Sequence, residues 1–106
     1  MKMTDAVKLG SVYADILRAR MDAPLKKVFL YGSQARGDAT EGSDYDIFVL
    51  VDKRTSEIRE AVIDAGVEMM NRYDKLFAAI IYGEEEWRKA QGSPLLWNIQ
   101  QEGIEL

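Results

Sequence analysis

The chain has 106 residues, of which 47% are hydrophobic and 30% charged, so we expect residues 1–106 to form a single folded domain. It contains no cysteine and no histidine, which excludes disulfides, the usual zinc sites and catalytic triads with a histidine base. Fourteen basic and 18 acidic residues give a net charge of −4, so direct nucleic-acid binding is not expected. The polar groups that remain, mainly carboxylates and hydroxyls, suit magnesium and phosphate.

The distribution of apolar residues predicts no membrane segment. The longest apolar run, Leu76–Tyr82, has seven residues, whereas a membrane helix needs about 18 or more. Residues 1–5 lack the apolar core of a signal peptide. We therefore expect a cytoplasmic protein.

The predicted elements alternate between helices and strands. Four helices are predicted: one after Thr4 that ends near Met21, one capped by Thr55 and Ser56, one over Glu84–Gln91, and one from Pro94 to about Glu102. Three strands are predicted at Lys27–Tyr31, Asp46–Val51 and Leu76–Tyr82. Trp87 and Trp97 fall in the last two helices and suit either core packing or a partner surface. This order predicts a small α/β or α+β fold, a sheet with helices packed against it.

A glycine-rich segment follows the first predicted strand. Gly32 and Ser33 at the end of a strand allow a ligand to approach the backbone closely, and a helical turn that begins at Ser33 would favour phosphate. The spacing from Gly32 to Gly37 is that of a P-loop. Asp38 and Ala39, however, stand where that motif needs lysine followed by serine or threonine, which excludes a P-loop.

Two aspartates stand at the start of the second predicted strand. Asp44 and Asp46 are two residues apart, so their side chains would point the same way and repel unless a cation bridges them or one is protonated. Beyond them the strand is apolar on both faces, with Phe48 and Leu50 on the same side, which predicts an interior strand. Two carboxylates beside a phosphate-binding turn favour a magnesium–triphosphate site.

The segments Gly32–Ser33, Arg36–Gly37 and Ser43–Asp46, followed by an apolar strand, resemble the signature of the nucleotidyltransferase superfamily related to DNA polymerase beta. The short chain is similar to the minimal nucleotidyltransferase (MNT) group of that superfamily. The resemblance implies a small mixed sheet with packed helices. It also implies Mg²⁺-dependent transfer of a nucleoside monophosphate, in the first instance AMP from ATP, to a hydroxyl group of a partner protein or another acceptor.

The resemblance also implies roles for individual residues. Gly32 and Ser33 would hold the nucleoside triphosphate, and Ser43 belongs to the same set. Arg36 would either reach phosphate or an acceptor, or stay solvated. Asp44 and Asp46 would bind the metal and carry the catalysis.

The third acidic residue of active relatives is missing from its expected place. The strand Leu76–Tyr82 contains no carboxylate, and alanines occupy its middle. Asp74 would substitute only if the strand were shifted or bent, and aspartate at such a position more often forms a turn. A positioned base contributes roughly 10²–10⁴ in rate, so nucleotide binding is better supported than turnover.

Two functions therefore remain open. The first is an enzyme whose acceptor site comes from a second chain or a homo-oligomer. The second is a non-catalytic or weakly catalytic, antitoxin-like protein, because MNT proteins similar to this one are often paired with small helical HEPN proteins. An aminoglycoside-modifying enzyme is a weaker third possibility, since those enzymes usually carry an extra substrate domain.

Overall fold

A computed structural model describes residues 4–106 as five helices and four strands. The helices are α1 (Asp5–Met21), α2 (Ser33–Arg36), α3 (Ser56–Tyr73), α4 (Glu84–Lys89) and α5 (Pro94–Glu102). The strands are β1 (Leu25–Tyr31), β2 (Tyr45–Val51), β3 (Phe77–Gly83) and β4 (Ile104–Glu105). Residues 1–3, part of the stretch in which the sequence predicted no signal peptide, lie outside the described residues.

The four strands form one mixed sheet in the order β3-β2-β1-β4. Strand β2 pairs antiparallel with β1 and parallel with β3, and β4 pairs antiparallel with the other edge of β1. Six of the seven residues of β2 are buried, so the predicted interior strand is confirmed. The predicted fold class, a small mixed sheet with packed helices, is also confirmed.

Helices cover both faces of the sheet. On one face, α1 and α3 pack on the side of β2 that carries Ile47 and Val49. On the other face, α4 and α5 pack on the side that carries Phe48 and Leu50, as the alternation along the strand predicted. Trp87 of α4 belongs to this second core, with its ring centroid 5.5 Å from that of Phe48.

Side-chain caps mark the N-termini of three helices. The side chains of Thr4, Thr55 and Ser93 each accept a hydrogen bond from the backbone N–H three residues later, which confirms all three predicted caps. Strand β1 begins at Leu25, two residues before the predicted start, because Leu25 pairs with Val51 across an irregularity in the ladder. Strand β4 was not predicted, since two residues carry no periodic pattern. No helix in the described part of the chain is long and apolar enough to cross a bilayer.

Candidate active site

The site lies where β1 ends, α2 begins and β2 starts. Tyr31 pairs with Asp46 in the antiparallel ladder, and this register sets the Asp46 carboxylate against Gly32. Gly32 has φ 75° and ψ −158°, a backbone region that is essentially restricted to glycine. A Cβ atom on Gly32 would overlap Asp46 Oδ2 and lie 3.1 Å from Asp46 Cγ. Glycine is therefore required here both by the backbone angle and by the neighbouring carboxylate.

The segment after Gly32 folds as one helical turn. Arg36 N–H donates to the Gly32 carbonyl oxygen at 3.0 Å, and Gly37 ends the turn in the left-handed conformation with φ 85°. A helical turn therefore begins at Ser33, which is the condition under which the sequence favoured phosphate binding. The side chain of Gln34 donates to the carbonyl oxygen of Ser43 at 3.2 Å and so ties the turn to the loop before β2.

Ser43 lies in that loop and closes a local turn. Its backbone N–H donates to the Thr40 carbonyl oxygen, and its hydroxyl accepts from the Thr40 N–H, each at 3.0 Å. The hydroxyl is thus engaged within the loop that precedes the aspartates. A role for Ser43 as a direct phosphate ligand stays a prediction.

The two aspartates differ in their surroundings. Asp44 is exposed and immediately precedes β2, whereas Asp46 is half-buried within the strand. Partial burial and the negative charge of Asp44 raise the pKa of the Asp46 carboxyl above its ordinary value, and Arg36 opposes this rise. A nearby cation would therefore stabilise the charged form of the Asp46 carboxyl.

The donor set fits Mg²⁺ bound together with a substrate. Two carboxylates supply oxygen ligands, which Mg²⁺ prefers, and the rest of its shell ordinarily comes from phosphate oxygens and water. Within residues 4–106, no group of three or more acidic side chains is arranged to hold a metal by itself. Asp44 and Asp46 would hold the ion together with phosphate oxygens of a bound nucleotide.

The neighbouring strand supplies no further acid. Ala78 of β3 pairs with Asp46 in parallel register and is exposed, and Ile80 takes the next position on the same face. Asp74 caps the C-terminus of α3 with φ 57°, so it is a turn residue, as its place in the sequence favoured. The predicted gap in the carboxylate set thus lies at Ala78.

The C-terminal helix contributes a residue that sequence reasoning missed. Arg36 Nη1 donates to both carboxylate oxygens of Glu102, at 3.1 and 3.3 Å, and Arg36 Nε donates to Asp38 at 3.2 Å. Glu102 Oε1 also accepts from the Gly32 N–H at 3.3 Å. The sequence analysis left Arg36 either in contact with phosphate or an acceptor, or solvated; the structure shows a half-exposed guanidinium paired with the carboxylates of Asp38 and Glu102.

An open surface cavity of about 450 Å³ borders the site beside Asp44. It is formed by the loop over 39–45 and by the C-terminal end of α3 with the residues that follow. Gln34 and Lys75 contribute polar side chains to its wall. A ligand at the aspartates would therefore have room to extend over this loop.

Comparison with known proteins identifies two similar archaeal sequences. "Putative protein adenylyltransferase MJ0604" of Methanocaldococcus jannaschii is 32% identical over 91 residues, which cover 86% of this chain and 87% of that protein. "Putative protein adenylyltransferase MJ0141" of the same organism is 30% identical over 92 residues, which cover 86% and 84%.

Solved structures with a similar fold include components of toxin–antitoxin complexes. A chain of a toxin–antitoxin structure with AMP-PNP aligns with a TM-score of 0.66 at 18% identity, over 96% of this chain and 72% of the other. A chain of the complex between the tri-AMPylated Shewanella oneidensis HEPN toxin and its MNT antitoxin aligns with a TM-score of 0.58 at 15% identity, over 94% and 70%. At these identities the likeness establishes a common fold.

The family itself follows from the sequence match. The nucleotidyltransferase domain family matches residues 13–95, which is more than half of the chain and includes the glycine turn and both aspartates. The two archaeal relatives, each at least 30% identical over most of their length, agree with this match. The resemblance inferred from the motif is therefore confirmed, and the chain belongs to the nucleotidyltransferase domain family.

Proposed function

We propose that this chain is a Mg²⁺-dependent nucleotidyltransferase that moves AMP from ATP to a hydroxyl group of a partner protein. Family membership supports nucleotidyl transfer in general, and both archaeal relatives bear the name of protein adenylyltransferases. The observation that carries the proposal is the Asp46 carboxylate set against Gly32, with Asp44 two residues before it. This arrangement combines a phosphate-compatible backbone with metal-binding oxygens.

The residues of the site would divide the work between phosphate and metal. Gly32 and Ser33 would position the triphosphate, with Arg36 available to neutralise phosphate charge. Asp44 and Asp46 would hold Mg²⁺, which would supply compensation for the negative charge of the phosphates. The acceptor oxygen would lose its proton to water and form a bond to the α-phosphorus as the bond from that phosphorus to pyrophosphate breaks. Alignment and charge compensation are the contributions that such a small site is able to make.

We propose a small helical HEPN protein as the acceptor. The support is the similarity in fold to chains from complexes of MNT antitoxins with HEPN toxins, one of which is tri-AMPylated. One related complex carries a variant in which two aspartates, two positions apart, are changed to glutamate. That spacing is the spacing of Asp44 and Asp46. A second copy of this chain is the other acceptor that the experiment should include.

The test is transfer of label from ATP carrying radioactive phosphorus at the α-position. The chain, Mg²⁺ and the HEPN partner are incubated together, and the label on each protein is measured after electrophoresis. The double variant Asp44→Asn/Asp46→Asn should abolish labelling. The matched control Asp52→Asn/Asp64→Asn removes two carboxylates that are each 58% exposed and lie outside the site, and it should label normally. Labelling that survives the first double variant would contradict the proposed site.

A second candidate function is neutralisation of the partner by binding alone. The observation that favours it is Ala78, which stands beside Asp46 where a third carboxylate would complete the set. Without a positioned base, transfer would lose roughly 10²–10⁴ in rate, whereas binding would be unaffected. This function predicts that the Asp44→Asn/Asp46→Asn variant still suppresses the activity of the partner and that no label is transferred. Loss of suppression in that variant would favour the enzyme.

A further inference from the structure

The carboxylate of Glu102 accepts hydrogen bonds from two donors of the candidate site. It accepts from the Gly32 N–H at 3.3 Å and from Arg36 Nη1 at 3.1 and 3.3 Å. The Glu102 side chain is only 25% exposed, which shows that it is packed into the site rather than extended into solvent. Gly32 and Glu102 are 70 residues apart in the chain, so the contact is created by the fold.

Carboxylate and phosphate oxygens accept the same charge-assisted hydrogen bonds from guanidinium and backbone N–H groups. An anionic ligand at Gly32 and Arg36 must therefore displace Glu102 from both donors. We propose that Glu102 competes with the nucleoside triphosphate for the Gly32 N–H and the Arg36 guanidinium. Glu102 thereby lowers the apparent affinity of the site for this ligand. The inference rests on the proposed function, which assigns the triphosphate to Gly32 and Arg36.

The segment that carries Glu102 is anchored on both sides. Helix α5 ends at Glu102 because the backbone becomes extended at Gly103, with φ −67° and ψ 141°. The Gly103 N–H still donates to the Ile99 carbonyl oxygen at 2.8 Å, and a Cβ on Gly103 would overlap that oxygen. Beyond it, β4 pairs with β1, and Leu106 N–H donates to the Val28 carbonyl oxygen at 2.8 Å. The backbone thus presents Glu102 at the site, and a rotation of its side chain is enough to expose the donors.

The expected size of the effect follows from the exposure of the ion pair. Arg36 is 46% exposed, so solvent weakens its pairing with Glu102, while the additional bond from Gly32 strengthens the contact. A site that is open only part of the time has its apparent affinity reduced by the open fraction. Removing the charge of Glu102 should therefore tighten ligand binding about 3–10-fold.

The experiment measures the dissociation constants of Mg²⁺–ATP and of inorganic tripolyphosphate by calorimetry at fixed ionic strength. Glu102→Gln keeps the size of the side chain and removes its charge. Glu105→Gln is the matched control, because Glu105 is 57% exposed, lies three residues further on and pairs with Lys27 at 3.8 Å, away from the site. Glu102→Gln should bind both ligands about 3–10-fold more tightly, and Glu105→Gln should bind like the unaltered protein.

The other outcomes distinguish a failure of the proposed role of Glu102 from a failure of the proposed function. Equal affinities of Glu102→Gln and Glu105→Gln, with ATP bound normally, would overturn the competitor and leave the proposed function standing. Weaker binding by Glu102→Gln would also overturn it, since Glu102 would then support the donors. Failure of every variant and of the unaltered chain to bind ATP would overturn the proposed function, and the inference with it. Glu102→Asp, which keeps the charge but shortens its reach, should tighten binding even if Glu102→Gln folds poorly.

Discussion

Replacing Gly32 by alanine would place a methyl group where the Asp46 carboxylate lies. The substitution has two separate costs. The first is backbone strain, because φ 75° with ψ −158° is a region that residues with a Cβ almost never occupy. The second is steric, because the new Cβ would overlap Asp46 Oδ2 and approach Asp46 Cγ to 3.1 Å.

The magnitude follows from these two costs. Backbone strain of this kind costs about 1–3 kcal/mol, and overpacking costs about 1–3 kcal/mol. Asp46 is only half-buried and its side chain is able to move, so the lower half of the combined range applies. We expect Gly32→Ala to destabilise the fold by about 2–4 kcal/mol, or to lower the melting temperature by about 8–20 °C. It should also weaken Mg²⁺–ATP binding, because the displaced carboxylate is one of the proposed metal ligands.

The matched control is Gly37→Ala. Gly37 also has a positive φ, 85°, but a Cβ there would meet nothing within 4 Å. It should therefore pay the strain alone, about 1 kcal/mol. Thermal unfolding followed by circular dichroism compares the two variants, and both are then remade in an Asp46→Ala background. Without the carboxylate, Gly32→Ala should lose its steric cost and keep only the backbone strain of about 1–3 kcal/mol. Equal costs in the unaltered background would refute the reasoning.

Three further predictions test the site and the core. Asp46→Asn should raise the melting temperature at pH 7, without divalent cations, by about 1–3 °C, because the raised pKa of Asp46 means that folding disfavours its charge. This gain should vanish below about pH 3, where the carboxyl is protonated in the folded and unfolded chains alike; a gain of equal size at low pH would rule out the electrostatic cause. Ala78→Asp should speed AMP transfer at least 10-fold relative to Ala78→Asn, because a positioned base contributes a factor of roughly 10²–10⁴ to the rate. Equal rates of the two variants would mean that the missing acid does not limit turnover. Trp87→Ala should cost about 2–4 kcal/mol in urea unfolding through lost packing on Phe48, whereas Trp97→Ala, at a side chain 58% exposed, should cost less than about 0.5 kcal/mol.

The features that the sequence predicted correctly depend on contacts within a few residues or on a strand's own pattern. The caps at Thr4, Thr55 and Ser93 each need one hydrogen bond to a residue three positions on, so the local sequence is sufficient. The continuous apolar character of β2 likewise predicted an interior strand, because a strand that is buried on both faces carries apolar residues on both faces. The family was predicted from the motif around Gly32 and Asp46, because the residues of that motif lie within one short segment of the chain.

The remaining features depend on how distant segments meet. Ala78 lies beside Asp46 only through the register of β2 with β3. Trp87 packs on Phe48, whereas Trp97 is 58% exposed. Glu102 reaches Gly32 across 70 residues, and no nearby residue marks it as part of the site. The sequence by itself determined the elements other than β4, the family and the candidate ligands. Tertiary packing decided that Ala78 lies beside Asp46 and that Glu102 accepts hydrogen bonds from Gly32 and Arg36, because both depend on long-range contacts that a local pattern does not encode.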